Sequence, residues 1–236
     1  MFLKDIKRKV AIIVQARMGS SRLPGKVLKK LTSEYSVLEY LLKRLSKCKK
    51  ADKVIVAIST NSKDDVLEAW LKQIEYSFFR GSEEDCIGRY YGAAKKFEAD
   101  IIVRITSDCP LVVPHIVDEM IEHYIDSGKI DYFSNRQFTN FPEGLDTEIF
   151  TFKMLEDAQN YAILKDEREH VNNYFLNRPA QYNIVYYNHD IEGDYSNFKL
   201  SIDTAEDLER ARKFFAENNL PLEFSFKDLI KILTKK

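Results

Sequence analysis

The stretch Gln15-Ala16-Arg17-Met18-Gly19-Ser20-Ser21-Arg22-Leu23-Pro24-Gly25-Lys26 gathers three cations, two glycines and two serines directly after an apolar run at 10–14. These residue types suit a polyphosphate. Glycine lets backbone N–H groups turn inward, serine hydroxyls donate, and Arg17, Arg22 and Lys26 can neutralise a triphosphate or a departing pyrophosphate. The stretch is not a Walker A loop, which has four residues between its glycines and Ser or Thr after its lysine. Here five residues separate Gly19 from Gly25, and Val27 follows Lys26. A dinucleotide GxGxxG pattern is absent too. The same residues also read as an ordinary Gly/Pro turn carrying solvated cations.

Two aspartates stand where apolar runs end. Asp108 follows Ile101-Ile102-Val103-Arg104-Ile105-Thr106-Ser107, with Pro110 stopping the run, and Asp203 follows Leu200-Ser201-Ile202. Carboxylate oxygens suit Mg²⁺, which takes one or two protein carboxylates and leaves its other positions to water and phosphate. Asp203-Thr204 before Ala205-Glu206-Asp207-Leu208 also reads as a helix N-cap, and Asp108 as a turn cap. Cys109, beside Asp108, reads as a small packing group because Mg²⁺ prefers oxygen. His170 has no visible partner in the sequence and receives no general-base role.

The elements that must position these residues alternate. Short β-branched runs at 10–14, 54–58 and 100–106 are separated by helical patterns at 37–45, 66–74 and 83–97. A helix opens after Pro114 and a strand is predicted at 132–135. A strand through Phe150, helices at 152–161 and 167–176, strands at 182–187 and 199–203 and a helix at 205–215 follow. This order predicts an α/β fold with a mostly parallel, doubly wound sheet, in which ligands bind beyond the carboxyl ends of the strands. Neither repeat nor low-complexity linker interrupts residues 1–236, so one domain is expected.

Composition narrows the function. With 36 Lys+Arg against 37 Asp+Glu the chain carries a formal charge of −1, no global field for a nucleic acid or an anionic membrane. Three dispersed cysteines form neither a disulfide framework nor a zinc pattern, and the apolar run after the basic start is too short for a signal or spanning segment. A cytoplasmic protein without membrane or nucleic-acid partners is expected.

Six segments together resemble one family. They are 15–28, Arg80-Gly81-Ser82-Glu83-Glu84-Asp85-Cys86-Ile87-Gly88-Arg89, 104–111, Gly144-Leu145-Asp146-Thr147-Glu148, Glu167-Arg168-Glu169-His170-Val171 and 202–208. In this order they resemble the SpsF spore coat polysaccharide biosynthesis proteins, relatives of CMP-KDO synthetases and, more distantly, CMP-sialic acid synthetases. The resemblance implies a Rossmann-like nucleotidyltransferase fold of the nucleotide-diphospho-sugar transferase type, usually a homodimer. It also implies CMP transfer from CTP to a sugar hydroxyl, with Mg²⁺ and release of pyrophosphate.

Carried over by position, the resemblance makes Arg17, Lys26 and Asp108 catalytic and Asp108 and Asp203 the metal ligands. Gln15, Ala16, Gly19, Ser20, Arg22, Ser82, Asp85 and Arg104 join Arg17 and Lys26 around the nucleotide. Ser107 stands where the family usually has glycine. On the acceptor side Asn135, Glu148 and Arg168 are candidates, and Arg104 and Arg168 are those for a sugar-acid carboxylate, which a planar guanidinium matches bidentately. Glu167–His170 also reads as a solvated helix start. Two other functions stay open. A nucleotide-sugar glycosyltransferase usually carries Asp-x-Asp, here represented only by Glu192-Gly193-Asp194, and an inactive nucleotide-binding scaffold would have no use for both aspartates.

Overall fold

The computed structural model describes residues 8–218 and 220–235, so most of the basic start lies outside the described residues. Its strands are β1 (Val10–Gln15), β2 (Lys53–Ser59), β3 (Phe78–Gly81), β4 (Ile101–Thr106), β5 (Tyr132–Ser134), β6 (Glu148–Thr151) and β7 (Ile184–Tyr186). The helices are α1 (Val37–Leu45), α2 (Asp65–Gln73), α3 (Cys86–Lys96), α4 (Pro114–Ser127), α5 (Phe152–Tyr161), α6 (Lys165–Glu169), α7 (Val171–Leu176), α8 (Ala205–Asn218) and α9 (Phe226–Leu233).

The strands form one seven-stranded sheet in the order β3-β2-β1-β4-β6-β5-β7. β6 runs antiparallel to both its neighbours, and the other pairs are parallel. Strands β1 and β4 are buried along nearly their whole length, as expected of a parallel sheet covered on both faces. Successive side chains alternate between those faces. Val10, Ile12 and Val14 join Leu38 and Leu41 of α1 and Val117 of α4, whereas Ala11 and Ile13 join Ile87 and Tyr90 of α3 and Leu155 of α5.

The chain moves outward from β1 to β2 and β3, then returns to place β4 on the other side of β1. That reversal opens a crevice beyond the carboxyl ends of β1 and β4. Gln15 pairs with Thr106 across it, so the segments after both strands leave the sheet side by side.

Several expected elements differ. Residues 199–203 are not a strand. Leu200 and Ile202 alternate toward the core, but the backbone makes only an isolated bridge from Lys199 to Glu143 and one bond from Ile202 N to Asp108 O, 2.8 Å. The helix expected at 83–97 starts at Cys86, because Asp85 accepts from Gly88 N at 2.9 Å as its N-cap. The helix expected at 167–176 is two helices broken at His170, whose backbone is extended. Strand β3 and helix α9 lie outside the expected pattern.

Candidate active site

The loop after β1 is shaped by a buried carboxylate. Asp64, 1% exposed, accepts from Met18 N (2.7 Å) through Oδ1 and from Ser59 N (2.9 Å) and Ser59 Oγ (2.6 Å) through Oδ2. It therefore ties the loop to the end of β2. Gly25, at φ 69°, donates its N–H to Met18 O (2.9 Å) and closes the loop on itself, a turn that favours glycine because a Cβ is strained there. Buried Leu23 and Val27 anchor its far side in the core. Asp64 was not among the expected site residues. It is one of several carboxylates in a polar helix start, and only the fold reveals its partners.

Lys26 is 8% exposed, and its ammonium is the centre of the site. Nζ donates to Asp108 Oδ2 (3.0 Å), Ile202 O (2.8 Å) and Asp203 Oδ1 (3.2 Å). One cation from the first loop thus holds both Asp108 and Asp203. Burial pushes the Asp108 carboxyl up, but the Lys26 charge and hydrogen bonds from Thr106 and Lys26 outweigh it and hold it below the usual range. Arg22 Nη2 reaches Asp203 Oδ1 at 2.9 Å, and Lys199 Nζ reaches Oδ2 at 3.5 Å.

The capping alternative for Asp203 is overturned. Thr204 Oγ1 accepts from Asp207 N (3.2 Å), while Asp207 Oδ2 accepts from the Thr204 (3.1 Å) and Asp203 (3.0 Å) N–H groups. Thr204 and Asp207 serve the start of α8, which leaves the Asp203 carboxylate turned to the cations.

The remaining expected residues divide. Arg17 Nη1 lies 3.7 Å from Glu83 Oε1, and Glu83 also accepts from Asn61 Nδ2 (2.7 Å). A Cβ on Gly19 would stand 2.9 Å from that same Glu83 oxygen. Ser20 Oγ accepts from Leu23 N at 3.4 Å. Gln15 supports the crevice floor: its carbonyl accepts from Ser107 N (3.1 Å) and its side-chain oxygen from the Cys86 thiol (3.2 Å). Ala16 is buried and donates to Ala57 O (3.1 Å). Ser82 Oγ accepts from Asp85 N at 3.2 Å. Asp85 pairs with Arg168, which also donates to Gln159 O, so this guanidinium is engaged at the start of α3.

A cavity of about 830 Å³ takes in Arg22, Asp108 and Asp203 and extends to Arg104, Arg136 and Asp146. Arg104 is buried and donates to Glu148 Oε2 at 2.5 Å; Glu148 is 1% exposed. Arg104 Nε and Glu148 Oε1 have no hydrogen-bond partner among the described residues. Asn135, also buried, donates to Leu145 O (3.1 Å) and accepts from Thr147 N (2.7 Å), fixing the loop after β5 to the segment entering β6. Burial pushes the Asp146 carboxyl up to about 6, with Arg136 offsetting only part of that.

Cys109 is buried within 3.3 Å of Thr106 Oγ1 and is a packing group with a free thiol. Glu192 and Asp194 are exposed, and Asp194 accepts from Ser196 N (2.9 Å), so they form no metal-binding pair in the crevice. No helix among the described residues is long and apolar enough to cross a membrane.

With this geometry in view, a family model described as cytidylyltransferase matches residues 11–228. The chain is 33% identical over 231 residues to the spore coat polysaccharide biosynthesis protein SpsF of Bacillus subtilis, covering 96% of this chain and 94% of that protein. The structure of a cytidylyltransferase from Leptospira borgpetersenii superposes with a TM-score of 0.89 at 38% identity, covering 96% of this chain and 94% of the other. The structure of CMP:2-keto-3-deoxy-manno-octonic acid synthetase complexed with CTP shares the fold, with a TM-score of 0.67 at 17% identity over 89% of this chain and 99% of the other.

Proposed function

The chain belongs to the cytidylyltransferase family, and from that premise we propose that it transfers CMP from CTP to a hydroxyl of a sugar acid, releasing pyrophosphate, in the synthesis of a surface polysaccharide. The observation that carries the reading is the convergence of Lys26, Asp108 and Asp203 beside the cationic loop 15–26. SpsF, by its name, serves polysaccharide biosynthesis, and the synthetase with CTP bound acts, by its name, on a keto-deoxy sugar acid.

In this reading the acceptor oxygen forms a bond to the α-phosphorus of CTP, the bond from that phosphorus to the bridging oxygen breaks, and pyrophosphate leaves in line. Arg17, Arg22 and Lys26 neutralise charge on the leaving group, and the fixed loop holds the triphosphate for attack. Asp108 and Asp203 offer two hard oxygen donors gathered around one cationic centre, the donor set that Mg²⁺ accepts when phosphate completes its coordination. Held by Asp108 and Asp203, Mg²⁺ would supply Lewis-acid charge stabilisation to the transferring phosphate. Lys26, already between the carboxylates, keeps them oriented toward the crevice.

The test is pyrophosphate release from CTP and Mg²⁺ with a panel of sugar acids that includes 3-deoxy-manno-octulosonate. Release that depends on a sugar acid and disappears in Asp108→Asn supports the reading. Release unchanged in that variant, or seen only with UTP, overturns it.

A further inference from the structure

Resting on that reading, we infer that Arg136 and Phe138, two residues apart on the loop after β5, are the acceptor-specificity pair. Arg136 takes the acid's carboxylate and Phe138 packs against the carbon–hydrogen face of its ring.

The cavity that contains Asp108 and Asp203 continues to this loop. Three guanidinium groups line it, in different states. Arg104 is buried against Glu148, and Arg22 pairs with Asp203 beside the metal-binding carboxylates. Arg136 is 43% exposed at its side chain, and among the described residues its guanidinium pairs with Asp146 (Nε to Oδ2, 3.3 Å) and lies 3.7 Å from Glu148 Oε1 through Nη1. Its Nη2 has no ion-pair partner among the described residues, and its side chain is more exposed than that of Arg104, so its planar fork is open to an incoming carboxylate, which it suits bidentately. Arg168, the sequence-based candidate, is already engaged with Asp85.

Phe138 is unusual on two independent counts. It is 83% exposed, and its backbone sits at φ 54°, where a side-chain-bearing residue is strained. Its ring meets the Tyr186 ring edge-on, centroids 5.3 Å apart, and lines the cavity with most of its surface uncovered. The loop around it is nevertheless built. Thr139 Oγ1 donates to Asn135 O (2.7 Å), and Asn140 accepts from His189 N (3.0 Å) and donates to His189 O (2.9 Å). A clamped loop that holds an apolar ring out in a strained conformation fits a ring needed for contact. The sugar ring supplies that contact through its apolar face while its carboxylate meets Arg136.

Calorimetric titration of 3-deoxy-manno-octulosonate and N-acetylneuraminate into the full chain saturated with Mg²⁺ and a CTP analogue carrying a methylene in place of the α,β-bridging oxygen tests this without turnover. We expect one of these acids to bind, with affinity falling at least tenfold in Arg136→Gln and several-fold in Phe138→Ala, and recovering in Phe138→Tyr. CTP affinity should stay within twofold in all three variants. Unchanged acid affinity in both Arg136→Gln and Phe138→Ala, or no binding of either acid to a protein that does bind CTP, overturns the subsite and leaves the nucleotide reading standing. Phe138→Ala shifting the oligomeric state in size-exclusion chromatography, with acid affinity unchanged, assigns the ring to a protein contact instead. Failure to bind CTP at all removes the underlying reading and the subsite with it.

Discussion

Lys26 Nζ lies 3.0 Å from Asp108 Oδ2, although 82 positions separate the two residues in the chain. The contact closes because β1 and β4 are parallel neighbours, so the segments that follow them emerge together. The same ammonium reaches Asp203, and replacing it by Met leaves two shielded carboxylates facing each other. We expect Lys26→Met to lose about 2–3 kcal/mol in denaturant unfolding at neutral pH and turnover to fall by roughly two orders of magnitude or more. Because the Asp108 carboxyl is held below its usual value, this stability is present above that value and is lost as pH falls through the lower folded one. The wild-type advantage should persist down to about pH 5 and close only below about pH 4; closure near pH 6 would contradict the pairing.

Asp203 and Thr204 are adjacent with opposite duties. Thr204→Val removes the N-cap of α8 and should cost about 1 kcal/mol in unfolding while sparing CTP binding. Asp203→Asn should cost less than that yet reduce turnover by roughly a hundredfold. If the two variants show the reverse pattern, with Asp203 governing stability and Thr204 activity, the assignment fails.

Asp64 is predicted to govern nucleotide affinity from beneath the loop. Its two oxygens accept three hydrogen bonds, and asparagine would turn an NH₂ group against an N–H donor. Asp64→Asn should lose about 2 kcal/mol of stability and weaken CTP binding several-fold. Calorimetric titration and chemical denaturation of the same preparation measure both.

The Asp146 carboxyl, raised by burial to about 6, makes a pH-dependent prediction of opposite sign. Its ionised form is disfavoured by folding, so the penalty is fully present above about pH 6 and disappears as pH falls below the ordinary carboxylate value. In nucleotide-free buffer Asp146→Asn should be more stable than wild type at about pH 8, by on the order of 1–2 kcal/mol, and match it near pH 4. An equal difference at both pH values would show that the carboxyl is not strained by burial.

The parts of the site legible in the sequence are those fixed by strand polarity. A cationic Gly/Ser loop after one buried run and aspartates after two others lie at the same edge of a parallel sheet if the elements alternate, and Lys26, Asp108 and Asp203 meet there. The segment at 199–203 alternates like a strand because Leu200 and Ile202 pack inward, yet hydrophobic periodicity reports burial and not ladder bonds. β3 spans only Phe78–Gly81, too short to show a period. The engagement of Arg168 is invisible to spacing, because Asp85, which pairs with it, is distant in sequence, whereas Arg136 meets Asp146 only ten positions on, at 3.3 Å. Asp203 read as a cap because an Asp-Thr pair before a helix has two cap candidates, and geometry chooses the threonine.

The most direct test of the account is the thermal shift of the purified protein with CTP, UTP, ATP and GTP, each with and without Mg²⁺, because a ligand that binds the native state raises its melting temperature without any acceptor. The expected result is a rise with CTP that requires Mg²⁺, exceeds that of the other nucleotides and is lost in Asp108→Asn. A response to UTP alone, or a CTP response that survives in Asp108→Asn, would contradict it.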